Sequence, residues 1–287
     1  MLIAADACRL PFKDSTFDLV FGSPPYPYKG QRYDGLRNKF DLYQWIDFMT
    51  MATKEALRVS KSLVAWVVND PVRKGQHIPA VAGLQWELFH EPWCTNERPT
   101  IWHKNSPPNR KDWFGNDWES ILFFKKPGTH PYFDWQAVAT APRYTKGGRF
   151  RQRDAHGKRR MGNEYPKNKL TRPRDVIRVT VGGGHLGDAE AYENEAPFPE
   201  ALPLRFILSC SPPGGLVLDP FGGSGTTAVV AARNGRIGVS CDIRPAQAEV
   251  ASRRMGRLTS KDTHVQENEV DKERTECPPP VLEVSLP

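Results

Sequence analysis

The chain has 287 residues, room for one main domain with additions, and its 39% hydrophobic and 25% charged residues exclude wholesale disorder and a fibrous fold. No apolar run approaches the ~20 residues of a membrane-crossing helix, and the opening MLIAADACRLPF lacks the basic and apolar regions of a signal peptide; a cytosolic protein is expected. The net charge of +7 is unevenly placed: from Thr259 on, three basic residues face seven acidic ones, which leaves 37 basic against 26 acidic on the rest, an excess that suits a polyanionic partner.

In chain order, Thr16 to Gly22 (TFDLVFG) reads as a buried strand entering the rigid loop Ser23-Pro24-Pro25. Helical spacing runs from Leu42 to Val59, and Ser62 to Val68 reads as another buried strand. Ala80 to Phe89 reads as a helix and Ser120 to Phe124 as a strand, so strands and helices alternate as in an α/β sheet. After Lys126 the apolar periodicity fades, and from Arg143 to Arg178 thirteen Lys or Arg accompany three acids. Regular structure resumes with a helix from Glu200 to Ser209, a strand from Leu216 to Asp219, a helix from Thr226 to Asn234, a strand from Ile237 to Asp242 and a helix from Ala246 to Leu258. The division is therefore 1–126, a basic insert over 127–185, 186–258 and a disordered acidic tail over 259–287; the Ser23 loop is expected to make the first span the catalytic half, and the glycine turn before Thr226 the third the cofactor half. Trp66, Trp86 and Trp135 are expected in the core. The five cysteines, without a C-x-x-C pair, read as reduced thiols, and the seven histidines form no ligand spacing, so no metal site is expected.

The most informative stretch is Asp219-Pro220-Phe221-Gly222-Gly223-Ser224-Gly225-Thr226, a glycine-rich turn between strand and helix. Glycines let backbone approach a ligand, and a helix amino terminus offers unpaired N–H groups. Gly235 stands where a left-handed cap residue ends the helix. The next strand ends in Asp242, placed to accept hydrogen bonds from a ribose diol. A nicotinamide cofactor also fits Gly223-Ser224-Gly225-Thr226-Thr227-Ala228, but too little chain follows to complete a doubly wound dinucleotide domain. The remaining strands must come from earlier in the chain.

Ser23-Pro24-Pro25-Tyr26 follows a strand, where open α/β sheets bind ligands. The two prolines fix the backbone, so the Ser23 hydroxyl and Pro24 carbonyl can face outward as acceptors beside the flat ring of Tyr26. Together, SPPY after a strand and DPFGGSGTT before a helix resemble the amino-directed DNA methyltransferases, and the order of catalytic loop, basic insert and cofactor loop resembles their permuted beta class. SPPY in place of DPPY or NPPY is most similar to the N4-cytosine members. The likeness takes in TIWHKNSPPNR through Trp118-Glu119, and APFPEALP over 196–203; Asn194-Glu195 stand where relatives often carry a His.

The resemblance implies a Rossmann-like sheet with permuted motif order, S-adenosylmethionine as cofactor, and double-stranded DNA as partner. It leaves open a cognate restriction endonuclease and a homodimer. It places Ser23, Pro24, Pro25 and Tyr26 at the reacting base. Asp6, Asp219, Pro220, Phe221, Gly222, Gly223, Ser224, Gly225, Thr226 and Asp242 fall at the cofactor. Arg149, Arg151, Arg153, Lys158, Arg159 and Arg160 fall in the target-recognition insert. Asp219 is also expected to order the glycine loop, Asp6 to end a short edge strand, and Asp70 and Glu119 to be structural. The expected reaction is methyl transfer to N4 of a flipped cytosine, with N6 of adenine as the alternative on the same site. An inactive cofactor-sensing DNA-binding protein would need no acceptor loop. No Pro-Cys pair is present to supply the thiol of a C5 methylase.

Overall fold

The computed structural model describes residues 1–28, 40–104, 114–140, 149–164, 170–181 and 197–257. The acidic tail, residues 194–196 and the Ser-Pro-Pro at 106–108 lie outside them. In chain order the elements are β1 (Leu2–Ala4), β2 (Phe17–Gly22), α1 (Leu42–Val59), β3 (Ser60–Val68), β4 (Val72–Arg73), β5 (Gln76–His77), α2 (Ala80–Phe89), β6 (Thr95–His103) and β7 (Trp118–Lys125). There follow β8 (Arg149–Arg153), β9 (Arg159–Glu164), β10 (Val176–Arg178), α3 (Ala201–Cys210), β11 (Leu216–Asp219), α4 (Thr226–Arg233), β12 (Ile237–Asp242) and α5 (Pro245–Gly256).

Eight strands form one sheet in the order β1-β12-β11-β2-β3-β7-β6-β10. From β1 to β3 all neighbours are parallel, and β7 runs antiparallel between β3 and β6. The late strand β11 sits directly beside the early strand β2, with Leu218 level with Val20. The glycine loop thus takes its missing strands from the front of the chain, as its late position requires.

Successive strand residues point to opposite faces. Val20, Val64, Trp66, Val68 and Leu218 pack under α1 and α2, whereas Leu19, Phe21, Leu63, Ala65, Val67 and Val217 pack under α3 and α4. A sheet covered on both faces explains why these strands read as unbroken apolar runs. α1 starts where it does because Asp41 Oδ1 accepts from Gln44 N at 2.9 Å while Gln44 Oε1 accepts from Asp41 N at 3.1 Å, a reciprocal cap. α4 ends at Gly235, whose φ of 68° is the left-handed conformation expected of it.

Four features depart from the expectation or add to it. β6 carries little apolar signal because it holds Pro99, which removes a ladder donor, and its pairing with β7 shifts register between Glu97 and Thr100. β1 and β10 are three-residue edge strands held by neighbours, too short for a periodic signal. β10 lies within 127–185 yet pairs with β6 in the main sheet, and β1, from the catalytic half, pairs with β12 on the cofactor side. Trp66 is fully buried, but Trp86 is 68% exposed on α2 against Phe89 and His90, and Trp135 is half-buried with Arg172 over its ring. Trp86 faces away because Ala80, Val81, Leu84 and Leu88 already fill the inner face of this helix.

Candidate active site

The chain turns from β11 toward β12 on one side and from β2 toward β3 on the other, so β11 and β2 meet at a topological switch point. Open α/β sheets bind ligands outside the carboxyl ends of such strands. Both informative loops leave from there. Asp219 closes β11 and Gly22 closes β2, and a Cβ on Gly22 would lie 2.5 Å from Asp219 Oδ1. Only glycine lets the two loops approach this closely.

Asp219 is 1% exposed. Its Oδ1 accepts from Phe221 N at 3.0 Å and its Oδ2 from the Thr227 hydroxyl at 2.8 Å, so it orders the glycine turn. Burial pushes its carboxyl up from 3.8 to about 7, against the pull of those two hydrogen bonds. Pro220 and Gly222 to Thr226 are buried, and Phe221 packs against Phe48 and Trp66. Gly225 precedes α4 with φ 78°, and no side chain caps the first N–H groups of this helix.

Asp242 closes β12. Its Oδ2 accepts from Gly223 N at 2.9 Å, tying the two ends of the βαβ unit together. Arg244 donates to the same carboxylate from its backbone N and Nε, at 2.9 and 3.0 Å to Oδ1, and from Nη2 at 3.3 Å to Oδ2. A carboxylate has about four lone-pair sites, and these four donors fill them, so any further donor at Asp242 would have to displace one, the Arg244 guanidinium among them. Asp6 follows the edge strand β1 as expected; it is exposed, and its carboxylate accepts from Cys8 N at 2.9 Å.

In the second loop, Ser23 Oγ donates to the Val67 carbonyl at 3.3 Å. Pro25 O accepts from Trp45 Nε1 at 2.6 Å, which anchors the loop to α1. Tyr26 OH donates to Glu119 Oε2 at 2.8 Å, and Glu119 Oε1 accepts from Lys104 Nζ at 3.0 Å. Asp70 accepts from Val81 N at 2.7 Å in the first turn of α2, a structural contact.

Sequence reasoning missed Lys104 and Arg254. Arg254 is 2% exposed and donates to Ser224 O at 2.7 Å, Thr226 Oγ1 at 3.0 Å and Glu200 Oε1 at 3.2 Å. In the sequence it sits in Arg253-Arg254, which reads as an ordinary charged helix end; only the packing shows that one of the two is buried.

The basic segment forms a β8–β9 hairpin closed by Asp154, whose Oδ1 accepts from His156 N and Lys158 N at 3.0 Å each. It carries all six predicted DNA-contacting residues: Arg149, Arg151 and Arg153 on β8, Lys158 in the turn, and Arg159 and Arg160 on β9. Arg153, Lys158 and Arg159 are exposed. Among the described residues no His, Cys, Asp or Glu cluster could hold a metal ion, and no helix is long and apolar enough to cross a membrane.

An α/β sheet with a glycine turn, a closing acid and a second loop at one switch point is the arrangement by which open α/β proteins bind nucleotide ligands. Comparison narrows the class: a profile of the N6/N4 DNA methylase family matches residues 17–253, and the chain belongs to that family of S-adenosylmethionine-dependent enzymes. It is 27% identical over 252 residues to the type II methyltransferase M.ScaI of Streptomyces caespitosus, covering 85% of this chain and 76% of that one. It is 28% identical over 247 residues to the DNA adenine methyltransferase YhdJ of Escherichia coli K12, covering 83% and 76%. The PvuII DNA methyltransferase, cytosine-N4-specific, shares the fold with a TM-score of 0.64 at 20% identity over 94% of this chain and 89% of that one. A modification methylase of Thermus thermophilus, TTHA0409, solved with S-adenosyl-L-methionine, aligns with a TM-score of 0.58 at 25% identity over 89% and 93%.

Proposed function

We propose that the protein transfers a methyl group from S-adenosylmethionine to N4 of a cytosine flipped out of duplex DNA. The observation that carries this reading is the meeting of the SPPY loop and the glycine loop at the ends of β2 and β11, with Gly22 packed on Asp219. The residues present fit the cofactor: the glycine turn leads into the α4 amino terminus, Asp219 orders that turn, and the Asp242 carboxylate that closes the next strand is tied to Gly223 within it. Asp242 would hold the ribose once Arg244 moves aside, and Asp219 would keep the glycine turn in shape around the cofactor. When bound, the cofactor supplies an activated methyl on a positively charged sulfur.

This chain's own residues then prepare the amine. An exocyclic amino nitrogen is a poor nucleophile because its lone pair is delocalised into the ring; acceptors on its two hydrogens draw that pair out. The Ser23 proton is committed to Val67 O, which leaves the Oγ lone pairs as acceptors. The Pro24 carbonyl is the second acceptor, and the Tyr26 ring is the stacking face for the extruded base. Rate arises from positioning and electrostatics. Among the described residues a thiol route finds no support: burial pushes Cys8, Cys94 and Cys241 up to about 12 and Cys210 to about 11.

For DNA, the β8–β9 register sets Arg153 opposite Arg159, a like-charge pair that an intervening phosphate would relieve. A localisation in the cytoplasm, with the DNA, accords with this role. The N6-adenine reading is favoured by one observation, the likeness to YhdJ, and the same loop orients either amino group. Nucleoside digestion and mass spectrometry of DNA incubated with the protein and labelled cofactor decides between them. N4-methylcytosine is expected; N6-methyladenine overturns the base, and 5-methylcytosine or no product overturns the mechanism.

A further inference from the structure

The Tyr26 hydroxyl lies between two acceptors. It is 2.8 Å from Glu119 Oε2 and 3.5 Å from Ser23 Oγ. An O–H group makes its strong bonds near 2.7–2.8 Å, so the proton points at Glu119 and away from Ser23. Glu119 is 9% exposed on β7, and nothing on its own strand balances its charge; that role falls to Lys104, just beyond the end of β6, whose Nζ reaches the other carboxylate oxygen at 3.0 Å. The placement is built by strand pairing. Glu119 stands level with Trp102, Lys104 N donates to Asp117 O at 2.6 Å, and Val67, which takes the Ser23 proton, stands level with Ile121 on the same β7.

We propose that Glu119, charged and fixed by Lys104, is a positioning residue for methyl transfer: by holding the Tyr26 proton it keeps the Ser23 oxygen a pure acceptor for the target amino group. The proposal rests on the reading of Ser23 as that acceptor. With Gln at 119 the one remaining carbonyl oxygen stays with the Lys104 ammonium and the amide NH2 faces Tyr26, so the Tyr26 hydroxyl proton turns to the next oxygen, Ser23 Oγ, and occupies a lone pair that the substrate N–H needs. The Ser23 proton is already spent on Val67, so the acceptor surface of this oxygen is set by what Tyr26 does. The sequence gives no hint of this link, since 93 residues separate Tyr26 from Glu119.

The test is a double-mutant cycle read by single-turnover methylation of duplex DNA, with S-adenosylmethionine affinity measured beside it. Glu119→Gln is expected to lower the transfer rate about tenfold, the scale of one competing hydrogen bond, without changing cofactor affinity. In the Tyr26→Phe background, where no hydroxyl proton exists to misdirect, adding Glu119→Gln lowers the rate less than twofold. Glu119→Asp, which keeps the charge for Lys104 but shortens the reach to Tyr26, gives the same pattern and serves if the Gln variant does not fold. Equal costs in both backgrounds, or no cost in either, overturn the role of Glu119. Ser23→Ala tests the reading beneath it: wild-type transfer by that variant removes the acceptor and this proposal with it, whereas its loss of transfer combined with additive Glu119 effects overturns the positioning role alone.

Discussion

Asp219→Asn is expected to stabilise the protein above neutral pH and to have little effect near pH 4. The Asp219 carboxyl is buried and its pKa is raised from 3.8 to about 7, so between these values the native state holds a proton that the unfolded chain has released. Stability therefore falls as pH rises through this window, by up to ~1.4 kcal/mol per pH unit, and levels off above pH 7. A shift of roughly 3 units corresponds to about 4 kcal/mol of destabilisation by the ionised form at pH 8. Asn imitates the protonated acid: its amide oxygen can still accept from Phe221 N, and the Thr227 hydroxyl can rotate to accept from the amide NH2. Urea unfolding of both proteins from pH 4.5 to pH 8.5 measures the difference, which should open steadily to pH 7 and then hold. A difference independent of pH, or one that grows toward acid, would refute the argument that burial dominates at Asp219.

Arg254→Met should weaken S-adenosylmethionine binding at least tenfold in calorimetry and lower the denaturation midpoint, since it strips Ser224 O and Thr226 Oγ1 of a buried donor while Glu200 keeps Arg233 at 2.7 Å. Unchanged affinity would mean that the glycine loop holds its shape without Arg254. Arg244→Ala should tighten cofactor binding, because the guanidinium no longer competes for Asp242; weaker binding would show that Arg244 itself contacts the cofactor. Replacing Lys158, Arg159 and Arg160 with Gln should reduce the slope of log DNA affinity against log salt by up to about 0.9 per lost phosphate contact, and an unaltered slope would place the DNA surface away from the hairpin.

The residues of both loops, and the helices and strands that carry them, could be read along the chain because each depends on neighbours in sequence. The apolar runs of β2, β3 and β11 mark strands buried on both faces, Gly235 and Pro245 mark a helix end and a helix start, and the glycine turn lies between a strand and a helix. That strands from the front of the chain complete the cofactor half was expected as well, and β2 indeed lies beside β11. What the sequence could not supply was contact between distant residues. β6, broken by Pro99, and the three-residue edges β1 and β10 exist because a neighbouring strand offers hydrogen bonds to them. The proton route from Tyr26 to Glu119, the clasp of Arg244 on Asp242 and the burial of Arg254 depend on side-chain directions fixed only when the sheet closes. Charged residues carry no sequence mark of their fate: Arg253 and Arg254 look alike along the chain, and the close packing of α5 against the glycine turn, where Ala251 meets Gly225, decides which one is taken out of water.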